Sequence, residues 1–150
     1  MKLVIFDWGR TLYDPETKVL FPETKEVLEH LKSEGFMLAI VALATAGQEK
    51  ILERLGIIQD EQLAQYFVSI KFDTENKGAM YEDTIREHKV EFGDVTIVDD
   101  RVIRGIAWGN KHGCTTVWVQ NGKFAQELPS KETGEPTYII KTIGEIKNVG

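Results

Sequence analysis

Lys2-Leu3-Val4-Ile5-Phe6-Asp7-Trp8-Gly9-Arg10-Thr11-Leu12 decides how this chain is read: four apolar residues run without alternation into a carboxylate, then into a glycine-containing turn. An unbroken apolar run suits a strand covered on both faces, as in a parallel sheet. Ligands of such sheets sit beyond the carboxyl ends of the strands, and Asp7 stands at that end. The design recurs in Val95-Thr96-Ile97-Val98, which is followed by Asp99-Asp100. If the two strands are neighbours, three carboxylates meet in one crevice. Like charges packed that closely need a cation, and an all-oxygen donor set favours Mg²⁺ over zinc, which prefers nitrogen and sulfur. Each acid taken singly also reads as a turn or helix cap; their repetition at two strand ends favours the shared site.

Outward from the first strand, Pro15 and Pro22 frame a short exposed connection, and Val27, Leu28 and Leu31 fall at helical spacing before Gly35. Residues 36–44 are a second apolar strand, ended by Thr45-Ala46-Gly47; Ile51, Leu52 and Leu55 then predict a helix closed by Gly56. A short helical piece near 61–65 leads to a third strand at 67–71. The polar loop 73–78 opens a helix with Met80, Tyr81, Thr84, Ile85 and His88 on one side. After the fourth strand at 95–98 comes a helix carrying Ile103, Ile106 and Ala107, stopped by Gly113, and then a fifth strand at 115–119. Residues 121–137 read as an irregular surface crossing, 138–140 as a short sixth strand, and Ile143 with Ile146 as a terminal helical turn. This alternation predicts an α/β fold: a three-layer sandwich with a mainly parallel central sheet, in a single domain over residues 1–150.

With 150 residues, 42% of them hydrophobic, the chain can bury one ordinary core. Its net charge of −6, with no basic cluster, argues against a nucleic-acid backbone as partner. No apolar run approaches the roughly 20 residues of a membrane span, the first residues are too short a stretch for a signal peptide, and the lone Cys114 fits a buried core thiol; cytoplasm is the expected location. His30, His88 and His112 lie far apart on predicted helices and read as surface or helix-end groups. Trp8, Trp108 and Trp118 read as packing residues, and Arg101 and Arg104 are placed to balance the acidic pair or to make surface salt bridges.

Over residues 2–119 the motifs resemble those of the haloacid dehalogenase-like hydrolases, a superfamily of mostly Mg²⁺-dependent phosphatases on a Rossmann-like sheet. The family's first motif, a strand and then Asp-x-Asp-Gly-Thr-Leu, stands here as Asp7-Trp8-Gly9-Arg10-Thr11-Leu12. Its fourth, a strand ending in Asp-Asp or in Gly-Asp with a further Asp several residues on, stands as Asp99-Asp100. The resemblance implies a phosphorylated substrate and Asp7 as the nucleophile, attacking phosphorus to give an aspartyl-phosphate that water cleaves. It implies Mg²⁺ held by Asp7, the Gly9 carbonyl and Asp100, with Asp99 beside it or acting through water. A lysine after the third strand would hold nucleophile and phosphate: Lys77 is the choice and Lys71 the competitor. Arg10 and Thr45 are the phosphate-binding candidates, each with a duller alternative, solvent for Arg10 and a helix N-cap for Thr45.

The chain also departs from the family. The second aspartate of the first motif is Gly9, so general acid–base help worth about 10²–10⁴ in rate is missing from that position. The hydroxyl expected at the end of the second strand falls on Ala42, with Thr45 three residues later, and Gly105 stands where a further fourth-motif aspartate often sits. Residues 13–35 hold one turn and one helix, too little for the inserted cap that many relatives carry. Capless relatives usually act on macromolecules or borrow a neighbour's surface, which makes an oligomer or a macromolecular phosphate compatible with the sequence. Two expectations follow: a phosphatase acting through Asp7, or a catalytically degenerate relative that keeps the metal and phosphate pocket for binding or structural use.

Overall fold

The computed structural model describes residues 2–149. In chain order its elements are β1 (Leu3–Phe6), a hairpin of β2 (Tyr13–Asp14) and β3 (Val19–Leu20), α1 (Thr24–Ser33), β4 (Met37–Leu43), α2 (Gln48–Asp60), β5 (Ser69–Asp73), α3 (Lys77–Glu87), β6 (Val95–Asp99), α4 (Ala107–His112), β7 (Thr115–Val119) and β8 (Tyr138–Ile140). The six-stranded sheet has the order β5-β4-β1-β6-β7-β8, and every pairing in it is parallel. Helices cover both faces. Successive side chains of a strand point to opposite faces. Val4 and Phe6 accordingly pack with Val27, Leu28 and Leu31 of α1 and with Ile143 and Ile146, while Leu3 and Ile5 pack with Met80, Tyr81 and Ile85 of α3. Both faces of β1 are thus buried, which is why its sequence shows no polar alternation.

Several elements differ from the sequence reading for identifiable reasons. The third strand begins two residues later than expected, because Phe67 ends a 3₁₀ turn and the ladder with β4 opens at Ala39 and Ser69. Helix α2 runs straight through Gly56. A helical glycine costs about 1 kcal/mol relative to alanine, and continuing the helix buries Ile58 in the core, so packing overrides the stop signal. Leu52 and Leu55, expected to define the buried side of that helix, are exposed instead. The connection after Asp7 is a β-hairpin with Tyr13 stacked on Trp8 at 5.4 Å between ring centroids. The stretch after β6 begins as a π-helical turn, Val102–Ile106, which leaves Ile103 exposed.

Beyond a 3₁₀ turn at Gly122–Phe124, residues 125–137 carry no helix or strand. They are nevertheless tied down: the Asn110 amide donates to the carbonyls of Thr133 and Glu135, and Thr116 and Thr137 exchange hydrogen bonds of 3.0 Å. Among the described residues no helix is long and apolar enough to cross a membrane. Cys114 is buried, and burial pushes its thiol up to about 11. A maleimide at neutral pH is therefore expected to label it only after unfolding; rapid stoichiometric labelling of the folded protein would contradict this placement.

Candidate active site

The sheet register brings the acids together. Phe6 pairs with Val98, and the Asp7 amide continues the ladder by donating to the Val98 carbonyl at 2.9 Å, so Asp7 and Asp99 emerge side by side at the carboxyl edge. One carboxylate oxygen from each of Asp7, Asp99 and Asp100 lies within 4.8 Å of the others. Lys77, in the first turn of α3, reaches into this group, its Nζ 3.1 Å from Asp7 Oδ1 and 2.8 Å from Asp99 Oδ2. The loop before it is held by local capping: Asp73 accepts from the Asn76 amide, and Asn76 caps α3 by accepting from the Ala79 amide. Lys71, the alternative lysine, lies in β5 and is occupied by Glu87 and Ser69.

Asp99 has both oxygens engaged. Oδ1 accepts from the Arg101 amide at 3.1 Å; Oδ2 accepts from the Gly105 amide at 2.8 Å as well as from Lys77. Burial alone would raise its pKa, but Lys77 and the two amides outweigh that and hold the carboxyl below the usual range. Burial likewise works against a charged Lys77, yet Asp7 and Asp99 keep the ammonium well above the ordinary lysine range. The π turn presents the Gly105 amide to Asp99, and the fit leaves no space for a side chain: a Cβ at 105 would lie 2.4 Å from Asp99 Oδ2 and 2.6 Å from the Tyr81 hydroxyl. Gly105 is thus an anchor for Asp99. Gly105→Ala is expected to cost roughly 1–3 kcal/mol, read as a lower melting temperature; an unchanged melting curve would contradict the close approach.

Asp100 is different. It is buried and its Oδ1 has no hydrogen-bond partner among the described residues, while its main-chain carbonyl is fixed by Trp118 Nε1 at 3.0 Å. Burial, then the charges of Asp7 and Asp99, push the Asp100 carboxyl up to about 10. Asp7 is also raised, by burial first, with Lys77 pulling it down and Asp99 pushing it up. Gly9 lines the same crevice, and its carbonyl accepts no hydrogen bond among the described residues. A buried orphan carboxylate oxygen, a second carboxylate and a free carbonyl form an all-oxygen donor set, which fits a hard divalent cation.

In front of Asp7 lies a crevice of about 290 Å³, walled by Gly9, Thr45, Asp100 and a set of cations. Thr45 is exposed on the β4–α2 turn; it does not cap α2, whose N-cap is Gly47. Arg10 has φ +61°, pairs with Glu16 at 3.2 Å and lies over the Phe124 ring. Arg101 pairs with Glu127 rather than with the acidic pair and sits 3.9 Å from the same ring. Arg54, which sequence reasoning missed, reaches in from α2; no pattern distinguishes it from a surface arginine on the polar side of a helix. A larger depression of about 610 Å³ adjoins the crevice, sharing Leu43 and Arg104 and running past Tyr81 and Trp108. The histidines stay outside: Nδ1 of His88 and of His112 face carbonyls of their own helices, and His30 lies 3.8 Å from Glu34.

Comparison with known proteins adds a family and a set of folds. A HAD-hydrolase-like family model matches residues 76–146, a stretch of just under half the chain that contains Lys77 and the Asp99-Asp100 pair. No curated protein matches the chain. Among solved structures, a D,D-heptose 1,7-bisphosphate phosphatase from B. bronchiseptica, complexed with magnesium and phosphate, superposes with a TM-score of 0.80 at 19% identity, covering 99% of this chain and 97% of that one. A HAD phosphatase from Thermococcus onnurineus gives a TM-score of 0.76 at 18% identity over 99% of this chain and 97% of its own. An uncharacterised protein from Listeria monocytogenes is 22% identical, with a TM-score of 0.70 over 99% of this chain and 94% of its own.

Proposed function

We propose that the chain is a member of the HAD-like hydrolase superfamily, and within it a capless Mg²⁺-dependent phosphatase acting through an aspartyl-phosphate on Asp7. The observation that carries this reading is the buried Lys77 bridging Asp7 and Asp99, beside an Asp100 oxygen that no group among the described residues satisfies. Lys77 engages one oxygen of Asp7 and fixes the carboxylate, leaving the other to attack phosphorus. The lysine also supplies positive charge where the phosphoryl oxygens of the substrate must sit. Asp99, its own oxygens occupied, serves as the support that orients Lys77. Asp7, Asp100 and the Gly9 carbonyl would hold Mg²⁺. When bound, that ion neutralises phosphate charge and orients the substrate for in-line attack. Arg10 and Thr45, which both line the crevice, would meet the remaining phosphate oxygens.

Turnover of an activated aryl phosphate, with and without Mg²⁺, tests the proposal in wild type and Asp7→Asn. Wild type is expected to hydrolyse the ester only with the metal present, and Asp7→Asn to fall to background. Equal rates for the two proteins would remove the nucleophile and with it the phosphatase. Gly9 favours a second reading, a catalytically degenerate protein that binds metal and phosphate. That reading expects calorimetric heats for Mg²⁺ and inorganic phosphate but no turnover of any phosphate compound.

A further inference from the structure

Besides Asp7 and Asp100, every ionisable side chain on the crevice wall is cationic: Arg10, Lys50, Arg54, Arg101 and Arg104. Arg10 and Arg101 are paired with Glu16 and Glu127, and Lys50 lies 3.3 Å from Glu53. Arg54 is partly buried and has no carboxylate within salt-bridge distance among the described residues. Its Nη1 donates to the Leu43 carbonyl at 2.6 Å, its Cζ lies 5.7 Å from the Phe72 ring centroid, and a Cβ placed on Gly9 would come within 3.9 Å of its Nη2. The guanidinium is therefore anchored at the end of β4, with its second nitrogen aimed into the space in front of Gly9, two residues after the nucleophile. A guanidinium does not give up its proton in a protein. This wall can stabilise a negative charge, and with Asp7 and Asp100 given to the nucleophile and metal roles it leaves no carboxylic acid to protonate a leaving oxygen.

We infer that the site takes phosphoanhydrides and comparable phosphates whose leaving group departs as a weakly basic anion, and that Arg54 stabilises that anion. The inference rests on the phosphatase reading above. Attack by an Asp7 oxygen forms the new O–P bond. The bond from phosphorus to the leaving oxygen breaks, its electron pair stays on that oxygen, and Arg54 receives the oxyanion through hydrogen bonds with no proton transferred. Water then attacks phosphorus and the Asp7–phosphorus linkage breaks, restoring the carboxylate. Both protons of the water leave on inorganic phosphate, and one then passes to solvent. No step requires an acid at position 9. A small leaving group that is itself a phosphate also suits a 290 Å³ crevice rich in positive charge.

The test measures kcat/KM for inorganic diphosphate, acetyl phosphate, aryl phosphates of graded leaving-group acidity and glycerol phosphate. Wild type is expected to fall by about 10²–10⁴ between the acidic leaving groups and the alkyl ester, the size of the missing general-acid help. Arg54→Ala is expected to lose about 10²–10³ on diphosphate and to steepen the dependence on leaving-group acidity, which a merely structural role would leave unchanged. Arg54→Gln, which retains a donor for the Leu43 carbonyl, is the second variant and is expected to show the same steepening. Calorimetry with Mg²⁺ gives a readout without turnover: methylenediphosphonate is expected to bind wild type more tightly than inorganic phosphate does, an advantage lost in both variants. Turnover of the whole series at equal rates, or an unchanged dependence in both Arg54 variants, overturns the inference and leaves the phosphatase standing. Loss in Lys50→Ala alone reassigns the role and overturns it too. No turnover of any compound by wild type overturns both readings together.

Discussion

Asp100→Asn is expected to raise the melting temperature of the metal-free protein and to abolish the stabilisation expected of Mg²⁺ in wild type. The reasoning starts from an acid whose folded pKa is about 10, against about 3.9 for an unfolded aspartate. Between those values the folded state keeps a proton that the unfolded state has lost, so stability falls as pH rises, by up to about 1.4 kcal/mol per unit for this one group. At neutral pH the accumulated cost is on the order of several kcal/mol, and asparagine, of the same shape and without charge, does not carry it. Asp7 is raised as well and works in the same direction. Asp99 is depressed and works in the opposite one: its contribution is present above the unfolded value and lost as pH falls through the folded pKa. A cation bound at Asp100 must displace the proton, so the Mg²⁺-induced rise in melting temperature is expected to grow between pH 6 and pH 8.5. Differential scanning fluorimetry over that range, with and without Mg²⁺, makes the measurement. Equal shifts in wild type and Asp100→Asn would place the ion away from the carboxylates.

What the sequence revealed of this site follows from how each residue is held. Asp7, Asp99 and Asp100 were legible because buried parallel strands advertise themselves as unbroken apolar runs, and an acid at the end of such a run has few places to go. Their meeting depends on β1 and β6 being neighbours in a register that pairs Phe6 with Val98, and strand order is a property of the fold rather than of either segment. Lys77 and Lys71 look alike in the sequence. They separate because one opens α3 and turns under the sheet edge, while the other lies along the outermost strand beside Glu87. Gly56 misled because helix-stop chemistry is worth about 1 kcal/mol, less than burying Ile58 returns. Arg54 carried no local signal at all. The role inferred for it rests on its approach to Gly9, a pairing of one absent side chain with one present one that only three-dimensional placement reveals. Gly105 was visible as a missing acid but not as a required glycine, since the contact that forbids a Cβ comes from Asp99 and Tyr81 folding over it.

Lys77→Met is expected to have the other large effect, on stability and on the proposed activity together. Lys77 is the one cation within 4 Å of Asp7 and Asp99 among the described residues, and all three groups are nearly inaccessible to water. Removing one partner of a buried ion pair typically costs about 3–5 kcal/mol, because the remaining charge keeps its desolvation penalty without its compensation. Urea unfolding at pH 7 is expected to show a loss of that order in the midpoint free energy. The direction with pH is fixed by the pair. The raised Lys77 contributes fully below the unfolded lysine value and fades as pH climbs through its folded one; the depressed Asp99 contributes above the unfolded aspartate value and fades as pH falls. Their mutual stabilisation is therefore widest around neutrality, and wild type and Lys77→Met are expected to converge in acid. Adding Asp99→Asn to Lys77→Met removes one of the stranded charges while keeping an acceptor for the Arg101 and Gly105 amides. The double variant is expected to be less destabilised than the sum of the singles by about 0.5–3 kcal/mol, with activity still absent because Asp7 has lost the group that orients it. Additive singles would mean that Lys77 and Asp99 do not sense each other, and the support assigned to Asp99 would then have to be given up even if Asp7 remained the nucleophile.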